Sequence, residues 1–478
     1  MKKVIVLIGY YLVITLFTCC ETKNGREIPR TNNTQKYEVN ISRSIKLADN
    51  AMASYFSGDS MVMSRYYNPY TQLSSDEKGS IWMYNSAIEA VNAILHSITT
   101  EKEKGNRSYY DRYYNKYIQL LSDLYSNAGY YLGTFTLTSY TQTAEWTVYG
   151  VNRGIEKGRA KVEGIENVYD DQMWLIRELI ESYRLTGNED FLSEVEYLTT
   201  YVLDGWDCTM DEDGNERGGI TWGPGYVSKH ACSNAPMISP LVWLHEIYKN
   251  KSDLITYRFI DSVDKKTRKS EEIKKSEYYL FFAEKIYDWQ KQHLLRSDGV
   301  YDDMMGGCSP NKPEVENIYG EKYREGIICI DRVGPAITYN SGTMLSGAAD
   351  LYRVTDDNIY YTDGVNLSDA SFKYFANLGD ELDGYYTYDV SGFRNWFNLV
   401  LLRGFIDFYP FYKNTGNYIQ TFQQNLDYGY KNFLYEGFLP DNLLKGWKEN
   451  IHENNLEGMS QFAYITEYAL LSKFELEK

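Results

Sequence analysis

Histidine and cysteine are both scarce in this chain of 478 residues, which carries 5 of the first and 6 of the second. The histidines (His96, His230, His245, His293 and His452) show no His-x-x-x-His spacing. Beyond the N-terminal segment only Cys208, Cys232, Cys308 and Cys329 remain, with no Cys-x-x-Cys pair among them. No structural metal and no cofactor are therefore expected. Basic charge also falls short, 49 Lys and Arg against 66 Asp and Glu, for a net charge of −17. Nucleic acid is excluded as a partner, because binding phosphates requires a clustered basic surface. The chain has no Gly-x-Ser-x-Gly elbow, no phosphate loop and no dinucleotide fingerprint. It also lacks a convincing run of alternating strands.

Aromatic residues, by contrast, are abundant: 47 tyrosines and 9 tryptophans bring the aromatic fraction to 16%. Tyrosine suits carbohydrate surfaces, with a flat face for sugar C–H groups and a hydroxyl for sugar oxygens. Packing between helices accounts for most of them. The N-terminus reads as an export signal. Met1-Lys2-Lys3 is followed by an apolar run from Val4 to Phe17, too short for a membrane span. Leu16-Phe17-Thr18-Cys19-Cys20 looks like a bacterial lipobox, so residues 1–19 are expected to be a lipoprotein signal peptide, with Cys19 or Cys20 lipidated. The polar residues 20–40 are expected to form a tether to an envelope membrane. Large domains do not need disulfides, although export permits them.

From residue 41 onward the pattern is helical, which predicts one all-α domain over residues 41–478. Amphipathic stretches run over Ser42 to Phe56, Ile81 to Ile98, Tyr113 to Tyr125, Asp170 to Leu185 and Phe191 to Leu203. They continue over Pro240 to Tyr248, Glu277 to His293, Ser341 to Arg353, Ser371 to Ala376, Asn395 to Phe408, Tyr418 to Phe433 and Ser460 to Lys473. A corner recurs between helices: Tyr183-Arg184-Leu185-Thr186-Gly187, Tyr352-Arg353-Val354-Thr355-Asp356 and Tyr412-Lys413-Asn414-Thr415-Gly416, with a looser copy at Tyr248-Lys249-Asn250-Lys251. Each ends a helix on a residue tolerant of left-handed geometry and so predicts antiparallel hairpins. Irregular spacing and long Gly-rich segments disfavour a uniform solenoid and favour a closed ring of helices. Residues 251–276 are charge-rich and read as an exposed excursion.

The most informative segment is Glu166-Asn167-Val168-Tyr169-Asp170-Asp171-Gln172-Met173-Trp174, two adjacent acids opening a helix. Acids in a first turn are favoured by the helix dipole, and Asn167 is a candidate cap. Paired carboxylates are also what glycosidic bond cleavage generally uses. Three further segments follow in order: Gly205-Trp206-Asp207-Cys208 leading to Gly218-Gly219-Ile220-Thr221-Trp222-Gly223, then Ala231-Cys232-Ser233-Asn234-Ala235-Pro236, then Ile337-Thr338-Tyr339-Asn340-Ser341-Gly342. In this order the segments resemble the glycoside hydrolase family 76 α-1,6-mannanases over most of residues 140–410. Phe397-Asn398-Leu399-Val400-Leu401-Leu402-Arg403 is similar to a late segment of that family, with Asn398 and Leu399 where Lys and Gly are usual.

The resemblance implies an (α/α)6 barrel and an endo-acting, retaining hydrolase of α-1,6-linked mannose backbones. It implies Asp170 as nucleophile and Asp171 as acid/base. Two like charges side by side push their pKa values apart, as the two roles require. Trp146, Trp222 and Tyr339 are candidate stacking platforms, Tyr169 lies beside the pair, and Asn234 and Asn340 are candidate hydrogen-bonding groups. Asp303, in the second acid pair Tyr301-Asp302-Asp303, reads as a loop contact to substrate. Arg403 is read either as orienting a carboxylate or as a structural ion pair. The expected partners are α-mannan and an envelope membrane, with the protein a monomer. The alternative is a mannan-binding lipoprotein on the same fold without turnover.

Overall fold

The computed structural model describes residues 32–389 and 394–478. The predicted signal segment, with Cys19 and Cys20, lies outside the described residues. Twelve helices follow among them: α1 (Asn32–Tyr55), α2 (Ile81–Glu103), α3 (Ser108–Ala128), α4 (Tyr169–Thr186), α5 (Glu189–Asp204), α6 (Ile238–Tyr248), α7 (Lys275–Leu294), α8 (Thr338–Thr355), α9 (Asn358–Phe375), α10 (Arg394–Phe408), α11 (Thr415–Phe433) and α12 (Gly458–Glu477). Residues 32–40, predicted as tether, are therefore the start of α1. Tyr37 and Asn40 are buried there, because this turn packs against α12 and accepts a side chain from α11: Asn40 exchanges hydrogen bonds with Gln423.

The even-numbered helices pack in series, α2 on α4, α4 on α6, α6 on α8, α8 on α10 and α10 on α12, and α12 returns to α2. The odd-numbered helices lean on them: α3 on α2, α5 on α4, α7 on α6, α9 on α8, α11 on α10, and α1 on both α12 and α2. Burial follows this order. Helix α12 is buried nearly all round, whereas α3 buries one stripe through Tyr117, Leu121 and Leu124. Each large apolar side chain so buried contributes roughly 1.5–3 kcal/mol. The polar face of α4 lines a cavity of about 430 Å3, with Arg177 paired to Glu178 and His96 Nε2 lying 2.6 Å from Glu181.

Helix ends explain the hairpins. Helix α4 stops at Gly187 (φ +67°), whose N–H donates to the Tyr183 carbonyl, and α8 stops at Asp356 (φ +58°), bonded likewise to Tyr352. The other two corners differ: Lys249 and Asn414 are right-handed, and the chain turns there through short backbone bonds. Where α8 crosses α10 the backbones nearly touch. A Cβ on Gly342 would lie 2.4 Å from the Val400 carbonyl oxygen, so only glycine fits.

The expectation of almost wholly helical structure needs correction, since several small sheets are present. Leu132–Thr138 pairs with Thr143–Tyr149, and Leu254–Ile260 with Arg268–Lys274. The second of these hairpins occupies the charge-rich excursion. A three-stranded sheet sets Met304–Gly306 between Lys229–His230 and Asp331–Val333. Most of these strands are too short, or too charged on both faces, to show alternation. The long segments 129–168, 205–237, 295–337 and 434–457 all lead into even-numbered helices. They gather at the N-terminal ends of those helices, which are also where the aspartate pair lies.

Candidate functional site

Helix α4 begins without a side-chain cap. Asn167 does not cap it; its amide donates to the Tyr201 hydroxyl at 2.8 Å. The first helical N–H, that of Tyr169, is instead taken by the Trp222 carbonyl at 2.8 Å, which staples the Trp222 loop to the start of the helix. Gly223 makes this seating possible, since a Cβ there would stand 2.3 Å from the Asn167 carbonyl oxygen.

Asp170 projects from this first turn into a cavity of about 870 Å3. Trp222, Cys232, His230, Asp303 and Tyr339 line it with Asp170, and an aromatic wall formed by Trp82, Trp174, Trp396 and Phe397 closes one side. Tyr339 stacks on Phe397 at 4.4 Å, and Trp396 meets Trp174 and Trp82 edge-on at 4.7 and 5.3 Å. Trp222 is held by stacking on His230 (5.1 Å between centroids), whose Nε2 lies 2.9 Å from the Ser228 hydroxyl. Burial pushes His230 down to about 4, so its ring is neutral near pH 7.

Electrostatics separate the two aspartates. Burial pushes Asp170 up to about 6, while the Cys232 thiol, the Trp222 indole and backbone N–H groups at the helix start hold it from rising further. Trp222 Nε1 and Asp170 Oδ1 are both buried without a hydrogen bond of good geometry, and the field of the indole still favours the charged carboxylate. Asp171 is 5% exposed and is not on the cavity lining; burial, and then the neighbouring Asp170 charge, hold it well above the ordinary carboxylate range. Its carboxyl accepts no hydrogen bond and forms no ion pair among the described residues. The lower pKa thus belongs to the carboxyl that meets the cavity, and the proton stays longer on the other.

Four expected contact residues are displaced from the cavity. Trp146 is 6% exposed on the hairpin over α5, against Tyr197 and Tyr201, where the strand turns it inward. Tyr169 packs on Tyr201 and beneath Gly205, because adjacent residues of a helix are rotated by about 100° and leave from different faces. Asn234 is fully buried and ties a turn together, its amide donating to the His230 and Ile220 carbonyls while its oxygen accepts from the Ile220 N–H. Asn340 sits behind the wall, donating to the Asp302 carbonyl at 3.3 Å and to the Asp303 carboxyl. Asp303 itself reaches the cavity, with its pKa raised by burial. Arg403 forms a buried ion pair with Glu89, which also accepts from Trp396 Nε1 at 2.7 Å. Asn398 clips α10 to α8, accepting from Thr338 Oγ1 at 3.0 Å and donating to the Asp389 carbonyl at 2.8 Å.

Cys232, His230 and the aromatic wall were missed in the sequence reading. Trp82 and Trp396 each fall within three residues of an even-numbered helix start, a positional signal that was available. Cys308 and Cys329 form a disulfide, and Cys208 and Cys232 are free and buried.

Residues 271–392 match the model of glycosyl hydrolase family 76. Over that segment the chain is similar to that family. No curated protein matches it. Among solved structures, a family 76 glycoside hydrolase (mannosidase) of Bacteroides thetaiotaomicron VPI-5482 is similar at TM-score 0.66 and 19% identity, covering 92% of this chain and 99% of that one. An inactive variant of an α-1,6-mannanase of Salegentibacter sp. HEL1_6, with two consecutive aspartates changed to asparagine and α-1,6-mannotriose bound, is similar at TM-score 0.58 and 16% identity, covering 91% and 99%. A D-mannose isomerase shares the fold at TM-score 0.57 and 10% identity, covering 94% and 99%. At such identities the likeness concerns the fold alone, and the reaction must be argued from the site.

Proposed function

We propose that this protein hydrolyses α-1,6-linked mannose backbones from within the chain, with retention, on an (α/α)6 ring formed as one domain by the twelve helices. Asp170 is the nucleophile and Asp171 the acid/base. The observation that carries this is the pairing itself: a carboxyl ionising at about 6 opens into a sugar-sized cavity, beside a carboxyl that stays protonated above it. Such a pair divides the labour of a retaining glycosidase, in which one group attacks the anomeric carbon and the other protonates the leaving oxygen and then activates water. The acid role requires Asp171 to turn its side chain toward the glycosidic oxygen, a movement that no ion pair opposes. Trp222, Tyr339 and Phe397 offer faces for sugar C–H groups. The Salegentibacter relative, inactive when two consecutive aspartates are changed and still holding mannotriose, supports the substrate class. The return of α12 onto α2 supports the closed ring.

We further propose export and lipid anchoring at Cys19 or Cys20. The Cys308–Cys329 disulfide agrees with an oxidising compartment. The test of the catalytic reading is to digest linear α-1,6-mannan with the natural protein and with D170N and D171N. Short manno-oligosaccharides should appear only with the natural protein. Undiminished release by either variant would remove that aspartate from the mechanism, and binding without any release by the natural protein would make it a mannan-capturing lipoprotein.

A further inference from the structure

A second cavity, of about 620 Å3, lies on the far side of the three-stranded sheet. One strand divides the two spaces by alternation: His230 lines the Asp170 cavity and its neighbour Lys229 lines the second. The Gly218–Trp222 segment likewise touches one at each end, Gly218 here and Trp222 there. Two of the cations around this cleft are already engaged. Lys229 Nζ donates to Asp207 at 2.9 Å and to the Gly218 carbonyl at 2.6 Å. Lys285 is 2.7 Å from Glu216, which also accepts from Trp206 Nε1 at 2.7 Å.

Five polar lining side chains have no hydrogen bond or ion pair among the described residues: Trp289 and His293, which stack on each other, and Arg217, Asp288 and Gln292. Asp288 and Gln292 stand one turn apart on α7, and Arg217 faces them from the loop after α5. Together they are one guanidinium, one carboxylate and one carboxamide, with no net charge. An anion would meet Asp288 and Glu216, and a cation would meet Arg217. A neutral polyol satisfies all three, since each hydroxyl both donates and accepts. Apolar area for ring C–H groups comes from Trp206 and Trp289.

We infer that this cleft is a second glycan-binding site, taking a neutral pyranose of the same polysaccharide whose backbone enters the Asp170 cavity. The sugar's identity as mannose rests on the function proposed above. The shared wall lets one polymer engage both sites and gives the effective concentration gain of a tethered second contact.

The experiment uses D171N protein, to prevent turnover, with 15N-labelled tryptophan, and titrates it with α-1,6-mannotriose while the indole N–H resonances are followed. W222F and W289F variants identify the two signals that matter. The expected result is saturable movement of both the Trp222 and Trp289 signals. The double variant R217A/D288A should weaken the Trp289 response roughly tenfold or more, the loss expected from two hydrogen bonds, with the Trp222 response unchanged. Movement of Trp222 alone overturns the second site and leaves the proposed function standing. Movement of Trp289 alone keeps the second site and removes the Asp170 cavity as the mannan site. Silence of both overturns each, and a Trp289 response to inorganic phosphate but not to the trisaccharide overturns the glycan assignment.

Discussion

Replacing Asp170 with asparagine tests the burial of charge at the site without reference to any substrate. The carboxyl is raised from its ordinary 3.8 to about 6 by burial. A shift of about two units corresponds to about 3 kcal/mol at 1.36 kcal/mol per unit. The sign follows from linkage. A group whose folded pKa is raised contributes stability that is fully present below its unfolded value, near pH 4, and lost as pH rises through about 6. At about pH 7.5 the natural protein therefore carries the whole cost of a buried carboxylate, and D170N carries none of it. With an unfolding entropy of about 2 cal/mol/K per residue over some 440 residues, about 3 kcal/mol corresponds to a gain of about 3 °C in melting temperature. Differential scanning calorimetry of both proteins at about pH 7.5 and about pH 4 reads this directly. The gain should be present at the first pH and absent at the second, alongside loss of mannan hydrolysis. A variant that melts no higher at about pH 7.5, or that gains equally at about pH 4, would refute the reasoning, because packing and not charge would then set the difference.

Three further outcomes follow from the same geometry. The acid limb of kcat/KM on linear α-1,6-mannan should fall near pH 6, where Asp170 becomes protonated, and W222F should move it up, since the indole N–H favours the charged carboxylate; an unmoved limb in a pH–rate profile would contradict the role given to the indole. G342A should lose roughly 1–3 kcal/mol in denaturant unfolding, because its Cβ would press on the Val400 carbonyl and force α8 and α10 apart. W146A should lower stability by about 3–5 kcal/mol while leaving KM for manno-oligosaccharides within about twofold, as expected of a ring packed over α5 and not of a sugar platform.

Most of the twelve helices among the described residues were legible because apolar residues recur at helical spacing, and Gly187 and Asp356 mark helix ends by the geometry they tolerate; α9 (Asn358–Phe375) was expected only over Ser371 to Ala376. That Asp170 and Asp171 open a helix was legible from the amphipathic pattern that follows them. The contact residues were legible less often. Trp146, Tyr169, Asn234 and Asn340 lie in the segments that flank or form the site, yet each is turned away from the cavity or spent on its own backbone. The start of α1 reads as tether in sequence because residues 32–40 are polar and gain their partners from distant helices, among them α3 through Tyr109 and α11 through Gln423.

What the sequence determined by itself is local: which stretches are helical, where they stop, and that two carboxylates share one helix start. Tertiary structure decided which of the two meets the cavity, which aromatic rings surround it, and how far apart their proton affinities lie. Those properties depend on burial and on partners as distant in the chain as Trp82 and Phe397, and a chain folded onto itself fixes them only when its ends come together.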